Sequence, residues 1–176
     1  MTFARIRALA VVGALVVAAL VLVTIAIAKD RQGPDQARSA CPKDAVLANL
    51  RLPEAKDVKL NVFNATGRPG LADQVGNDFR NRKFNVQKVD SVADTRAKGV
   101  AVVRYGPKAV GSAWLVRAYF LDEAETDFDI KRQDDVVDVV IGPLFRQLGT
   151  ATEVNQAIAQ MGKPQLPAGT CDSGAR

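Results

Sequence analysis

The residues best placed to do chemistry lie in one stretch, Asn61-Val62-Phe63-Asn64-Ala65-Thr66-Gly67-Arg68-Pro69-Gly70-Leu71-Ala72. Apolar and polar residues alternate up to Asn64, and a helical apolar period begins at Leu71, so the stretch reads as strand, turn and helix start. Gly67 and Gly70 permit close backbone approach or a positive φ. Pro69 suits a first helical turn, and Thr66 or Asn64 can cap it. A helix N-terminus presents unpaired N–H groups and the positive end of its dipole, which together favour an anion, and Arg68 adds a charge. A second stretch, Arg104-Tyr105-Gly106-Pro107-Lys108, again leads from strand into helix. If the two strands are parallel neighbours, both turns share the sheet edge at which α/β domains bind ligands. Thr66, Gly67, Arg68, Gly70, Tyr105 and Lys108 are then the candidate ligand-binding residues, suited to a phosphate-bearing glycan or a lipid head group. The other reading is two structural turns whose glycines answer to geometry alone.

Other chemistries find little support. The chain has no histidine, so no histidine base or triad is available. Ser91 and Ser112 lie in no nucleophile-elbow pattern. Neither a Walker loop nor a dinucleotide fingerprint is present. The acidic stretch Asp122, Glu123, Glu125, Asp127 and Asp129 misses the spacing of a calcium loop and reads as solvated connector carboxylates. Two cysteines without histidine make no zinc ligand set. Trp114 and Tyr119 sit on a helical stripe, where core packing is their expected use. The chain is therefore expected to be non-catalytic, with no metal and no cofactor.

The cysteines, Cys41 and Cys171, bracket nearly everything that follows the most apolar part of the chain. In an oxidising compartment an even count reads as a disulfide; the alternative is two unpaired thiols. That compartment is set by residues 8–28, an uncharged run of Ala, Val, Leu, Ile, Gly and Thr. At about 1.5 Å per residue it spans roughly 30 Å, the thickness of a bilayer's hydrocarbon core. Arg5 and Arg7 precede it, and the positive-inside rule places residues 1–7 in the cytoplasm and the remainder outside. A cleaved signal ending at Ala26-Ile27-Ala28 is the competing reading, although signal cores usually run about 7–15 residues. A lipoprotein is disfavoured, because Arg38 stands where a lipobox needs Leu. The exported part carries mixed charge with a small positive excess and no basic run, so nucleic acid is not an expected partner.

The elements that must position the turns follow from periodicity. Residues 29–57 read as a linker, with one or two helical turns at Ala45–Leu50. Strands are expected at Val58–Asn64, Phe84–Val89, Val100–Val103, Phe128–Ile130 and Val136–Ile141, and helices at Gly70–Asn81 and Lys108–Phe120. The order β-α-β-β-α-β-β over residues 58–148 implies a small α/β sandwich. Residues 149–176 form a tail with a peripheral helix at Ala151–Met161.

One resemblance rests on these same residues. Leu60-Asn61-Val62-Phe63-Asn64-Ala65-Thr66-Gly67 with Pro69-Gly70-Leu71-Ala72 is similar to the pattern V-x-V-x-N-x-T/S-G-x-x-G-L-A. Phe84-Asn85-Val86, Val103-Arg104-Tyr105-Gly106 and Val137-Asp138-Val139-Val140-Ile141-Gly142 follow in the matching order. From Val58 to Pro143 the chain resembles the LytR C-terminal domain. This extracytoplasmic α/β module of actinobacterial envelope proteins occurs alone or behind LytR–CpsA–Psr phosphotransferase domains. Arg82-Lys83 departs from the family, which often has a glycine before its second strand. No part of the chain matches the phosphotransferase domain, so that activity does not carry over. The resemblance implies a role in cell-envelope integrity, with effects on virulence. The implied partners are the bilayer, through residues 8–28, and either a cell-wall glycan or envelope-assembly proteins.

Overall fold

A computed structural model of the chain describes residues 12, 13, 15–24, 41, 42, 44–94 and 96–175. Residues 15–24 are helical. The rest of the 8–28 run, apart from residues 12 and 13, lies outside the described residues, as do the cleavage pattern at 26–28 and the lipobox position at 38. Among the described residues no helix is long and apolar enough to cross a membrane.

Residues 42–176 form a compact unit of their own. Its elements are β1 (Val46–Ala48), β2 (Lys59–Asn64), α1 (Leu71–Asn81), β3 (Asn85–Ser91), β4 (Ala101–Tyr105), α2 (Val110–Tyr119), β5 (Glu125–Phe128), β6 (Val136–Ile141), α3 (Ala151–Met161) and β7 (Thr170–Asp172). Between residues 58 and 148 the order is the β-α-β-β-α-β-β that the periodicity predicts. The expected helical turns at Ala45–Leu50 are instead strand β1, which pairs in parallel with β7. Local pattern could not reveal this, because the partner lies at the far end of the chain. The segment read as a linker thus belongs to the folded unit from Pro42 onward.

The main sheet has five strands in the order β3-β2-β6-β4-β5. Strand β6 is parallel to β2 and antiparallel to β4, while β3 and β5 each run parallel to their inner neighbours. Two βαβ units, β2-α1-β3 and β4-α2-β5, therefore point in opposite directions on either side of β6. Central position accounts for β6: Val137, Val139, Val140 and Ile141 are all fully buried, as a strand covered on both faces requires.

Both helices pack on one face. Leu71, Val75 and Phe79 of α1 and Ala113, Val116 and Phe120 at α2 join Leu60, Val62, Val103, Val137 and Val139 in one core. Helix α1 is amphipathic and lies close against β3, since a Cβ on Gly76 would meet Val89 at 2.8 Å. Helix α2 is apolar nearly all round, because three structures cover it. They are the sheet, helix α3 through Val154 and Ala157, and the segment that follows β1, where Asn49 N donates to Pro107 O and Gly111 N donates to Asn49 O. The sheet's other face is covered in part by the segment around Val92 and Ala97, packed on Val102 and Val140.

Candidate functional site

The turn after β2 is organised by one buried polar side chain. Asn64 is 4% exposed. Its Nδ2 donates to Arg68 O at 2.6 Å, and its Oδ1 accepts from Thr66 N at 2.9 Å and from Thr66 Oγ1 at 2.7 Å. Thr66 Oγ1 in turn accepts from Arg68 N at 3.1 Å. Neither Asn64 nor Thr66 caps α1, as the sequence suggested they could. The N-cap is Gly70, with no side-chain hydrogen bond, and Pro69 precedes the helix rather than opening it. Gly67 and Gly70 adopt φ of 72° and 73°, and an added Cβ would meet nothing within 4 Å at either. Their glycines thus answer to backbone conformation, not to space. Gly67, Arg68, Pro69 and Gly70 are exposed. Arg68 donates from Nη2 to Phe145 O at 3.0 Å, which pins its head against the segment that follows β6. Among the described residues it has no carboxylate partner.

The second turn stands elsewhere. Asn64 aligns with Ile141, and Ile141 with Ala101, at the start of β4. Tyr105 ends β4 and Lys108 follows it, so the length of the sheet separates them from Thr66, Gly67, Arg68 and Gly70. The condition for convergence, parallel neighbouring strands, is not met because β6 intervenes and β4 runs the other way. Lys108 lines a hollow of about 480 Å³ with Asp57, Ser112 and Asp135. Tyr105 lines a separate groove of about 370 Å³ with Trp114, Arg117 and residues 161 and 163–167. Burial pushes the Tyr105 phenol up from its ordinary value, and the Arg117 charge opposes that rise.

The open sheet face carries a polar row that the sequence reading missed. Asn61, Asp138, Arg104 and Asp127 align across β2, β6, β4 and β5. Asn61 Nδ2 donates to Asp138 at 2.8 Å, Arg132 meets Asp138 at 2.8 Å, and Arg104 meets Asp127 at 3.1 Å and also pairs with Asp94. The available signal was the single charge interrupting each apolar run, Asp138 among four valines and Arg104 after Val102-Val103. The acidic stretch is engaged in the same way. Asp127 pairs with Arg96 and Arg104, Asp122 with Arg117, and Asp129 accepts from Lys131 N. These carboxylates fasten strands and turns. Among the described residues no group of three His, Cys, Asp or Glu side chains could hold a metal ion. The two cysteines are joined as the Cys41–Cys171 disulfide, with Cys171 on β7 opposite Leu47.

Residues 57–145 match the family described as the LytR cell envelope-related transcriptional attenuator. The chain belongs to this family, and the match spans the sheet from Asp57, two residues before β2, to the segment that holds Arg68. It is also similar to a solved structure, the soluble domain (residues 71–217) of a conserved hypothetical secreted protein from Mycobacterium marinum, an ortholog of Rv2700. The two are 23% identical, with 77% of this chain and 89% of the other covered at a TM-score of 0.51. At that identity the likeness concerns the fold. No curated protein matches the chain.

Proposed function

We propose that this chain is a non-catalytic, membrane-anchored extracytoplasmic protein that contributes to cell-envelope integrity by binding an anionic envelope component. Phosphate-bearing glycan, peptidoglycan and lipid head groups share the required chemistry. The observation that carries the reading is the Cys41–Cys171 disulfide around a domain of an envelope-related family, because such a bond persists in oxidising, extracytoplasmic surroundings. The apolar run at 8–28 supplies the anchor, with residues 1–7 in the cytoplasm. The secreted relative from Mycobacterium marinum supports the same side of the membrane. The exposed turn at 67–70, with Arg68 held beside an uncapped helix start, offers the first contact for the anion. On this reading, loss of the protein should reduce virulence in a pathogenic host strain through the weakened envelope.

The test is complementation of a strain lacking the protein, scored by sensitivity to detergent and to cell-wall antibiotics. Wild type should restore resistance, and Arg68→Ala should restore it only in part at equal abundance. Full rescue by Arg68→Ala together with Lys108→Ala would remove the turns from the function.

A second reading, recruitment of an envelope-assembly enzyme, is favoured by a different feature. Leu144 and Leu121 are 64% and 39% exposed beside a hollow of about 660 Å³. In-membrane crosslinking from residue 144 to a discrete protein, without glycan binding, would select it.

A further inference from the structure

The groove that holds Tyr105 takes only that residue from the two predicted turns. Its floor is Tyr105, Val110 and Trp114, and its opposite wall is the segment carrying Lys163, Pro164 and Leu166. At about 370 Å³ it falls within the range of about 300–1,000 Å³ for small-ligand pockets. One donor there is buried without an acceptor. Arg117 Nε is buried with no hydrogen-bond partner, although the same guanidinium pairs with Asp122 through Nη2. The half-buried Tyr105 contributes a hydroxyl that makes no hydrogen bond among the described residues. Buried polar groups are almost always paired, and here a residue that lines the groove carries an unpaired donor. Charge agrees: Arg117 and Lys163 face the groove against Asp122 alone. Tyr105, Trp114, Pro164, Leu166 and Pro167 add apolar surface beside these charges, of the kind that packs against the C–H faces of a sugar ring.

We propose that this groove binds an acidic saccharide, its carboxylate or phosphate accepting from Arg117 and Tyr105 and its ring lying between Trp114 and the 163–167 segment. The proposal rests on the envelope-binding reading above and moves the specific contact away from the turn at 67–70.

Trp114 is the chain's single tryptophan, so intrinsic fluorescence of the full, disulfide-intact chain in detergent micelles reports on this groove. The probes are N-acetylmuramic acid, N-acetylglucosamine 1-phosphate and neutral N-acetylglucosamine. A saturable change with either acid, absent with the neutral sugar and weakened about tenfold or more (~1.4 kcal/mol) in Tyr105→Phe and Arg117→Gln, is the expected result. Response to the carboxylate, the phosphate or both supports the groove and identifies the source of the charge. Tyr105→Phe keeps the ring and removes only the hydroxyl, which guards against a folding defect in Arg117→Gln. No saturable response to either acid, an equal response to the neutral sugar, or undiminished affinity in Tyr105→Phe overturns the groove. If binding to purified cell wall survives that failure and falls in Arg68→Ala, the envelope-binding reading stands without it.

Discussion

Lys83 occupies a place made for glycine, with φ of 72°. Helix α1 ends there in a Schellman motif, in which Phe84 N donates to Phe79 O and Lys83 N donates to Arg80 O. The accompanying apolar contact is present too, with the Phe79 and Phe84 rings 5.1 Å apart and edge-on. The residue that departs from the family's usual glycine therefore keeps the glycine's conformation and bears its strain. Lys83→Gly should stabilise the protein by about 0.5–1 kcal/mol, read as a higher urea midpoint at unchanged slope. Asn64 teaches a different lesson. Its place in the strand was legible from alternation, but its role was not, because an Asn at a strand end can cap, pair or face water. Only the fold reveals that it is buried and satisfied by three hydrogen bonds within the turn that follows.

Strand order decides what the elements can do together. The strands and helices were readable because each carries its own pattern: Leu71, Val75 and Phe79 at helical spacing, and a valine-rich run at β6. Pairing is non-local, and no pattern inside β2 or β4 states that β6 will lie between them and reverse their relation. For this reason the two turns could be found in the sequence but not placed. Ion pairs join these elements at several points. Arg96 N and the Arg104 guanidinium hold the Asp94 carboxyl below its ordinary value, tying the segment after β3 to β4. Lys59 does the same for Asp135, joining β2 to the start of β6. Asp90 and Glu153 are lowered as well, chiefly by the backbone N–H groups of Ser91 and Thr150. A carboxyl lowered by folding contributes stability that is present above its unfolded value, about 3.9 for Asp, and lost as pH falls through the folded one. Stability should accordingly be flat from about pH 5 to 8, where the chain has no histidine to titrate, and decline below about pH 4. Urea unfolding across pH 2–8 checks this; a transition near pH 6.5 would contradict it.

The whole molecule is closed by its termini. Strands β1 and β7 have three residues each and pair only with one another, too little for stability alone. The disulfide beside them encloses about 130 residues, a loop worth up to roughly 5 kcal/mol in the chain-entropy model. Cys171→Ser should lower stability by about 2–5 kcal/mol, and rapid amide exchange at Thr170–Asp172 should accompany the loss while β6 stays protected. The 163–167 segment that lines the groove with Trp114 and Tyr105 connects α3 to β7, the strand that carries Cys171. Cysteine count made the disulfide legible. The groove was not, since its walls come from α2 and from a tail read as peripheral.

The central claim is that an envelope-family domain binds an anionic envelope component without transforming it. The most direct measurement is an NMR titration of the oxidised chain from Ala40 onward with peptidoglycan fragments and phosphorylated glycans. Saturable shifts at Gly67–Leu71 or at Tyr105, Trp114 and Arg117, with every added saccharide recovered intact, are the expected result. A spectrum unmoved by the whole panel, or cleavage of any member of it, would contradict the claim.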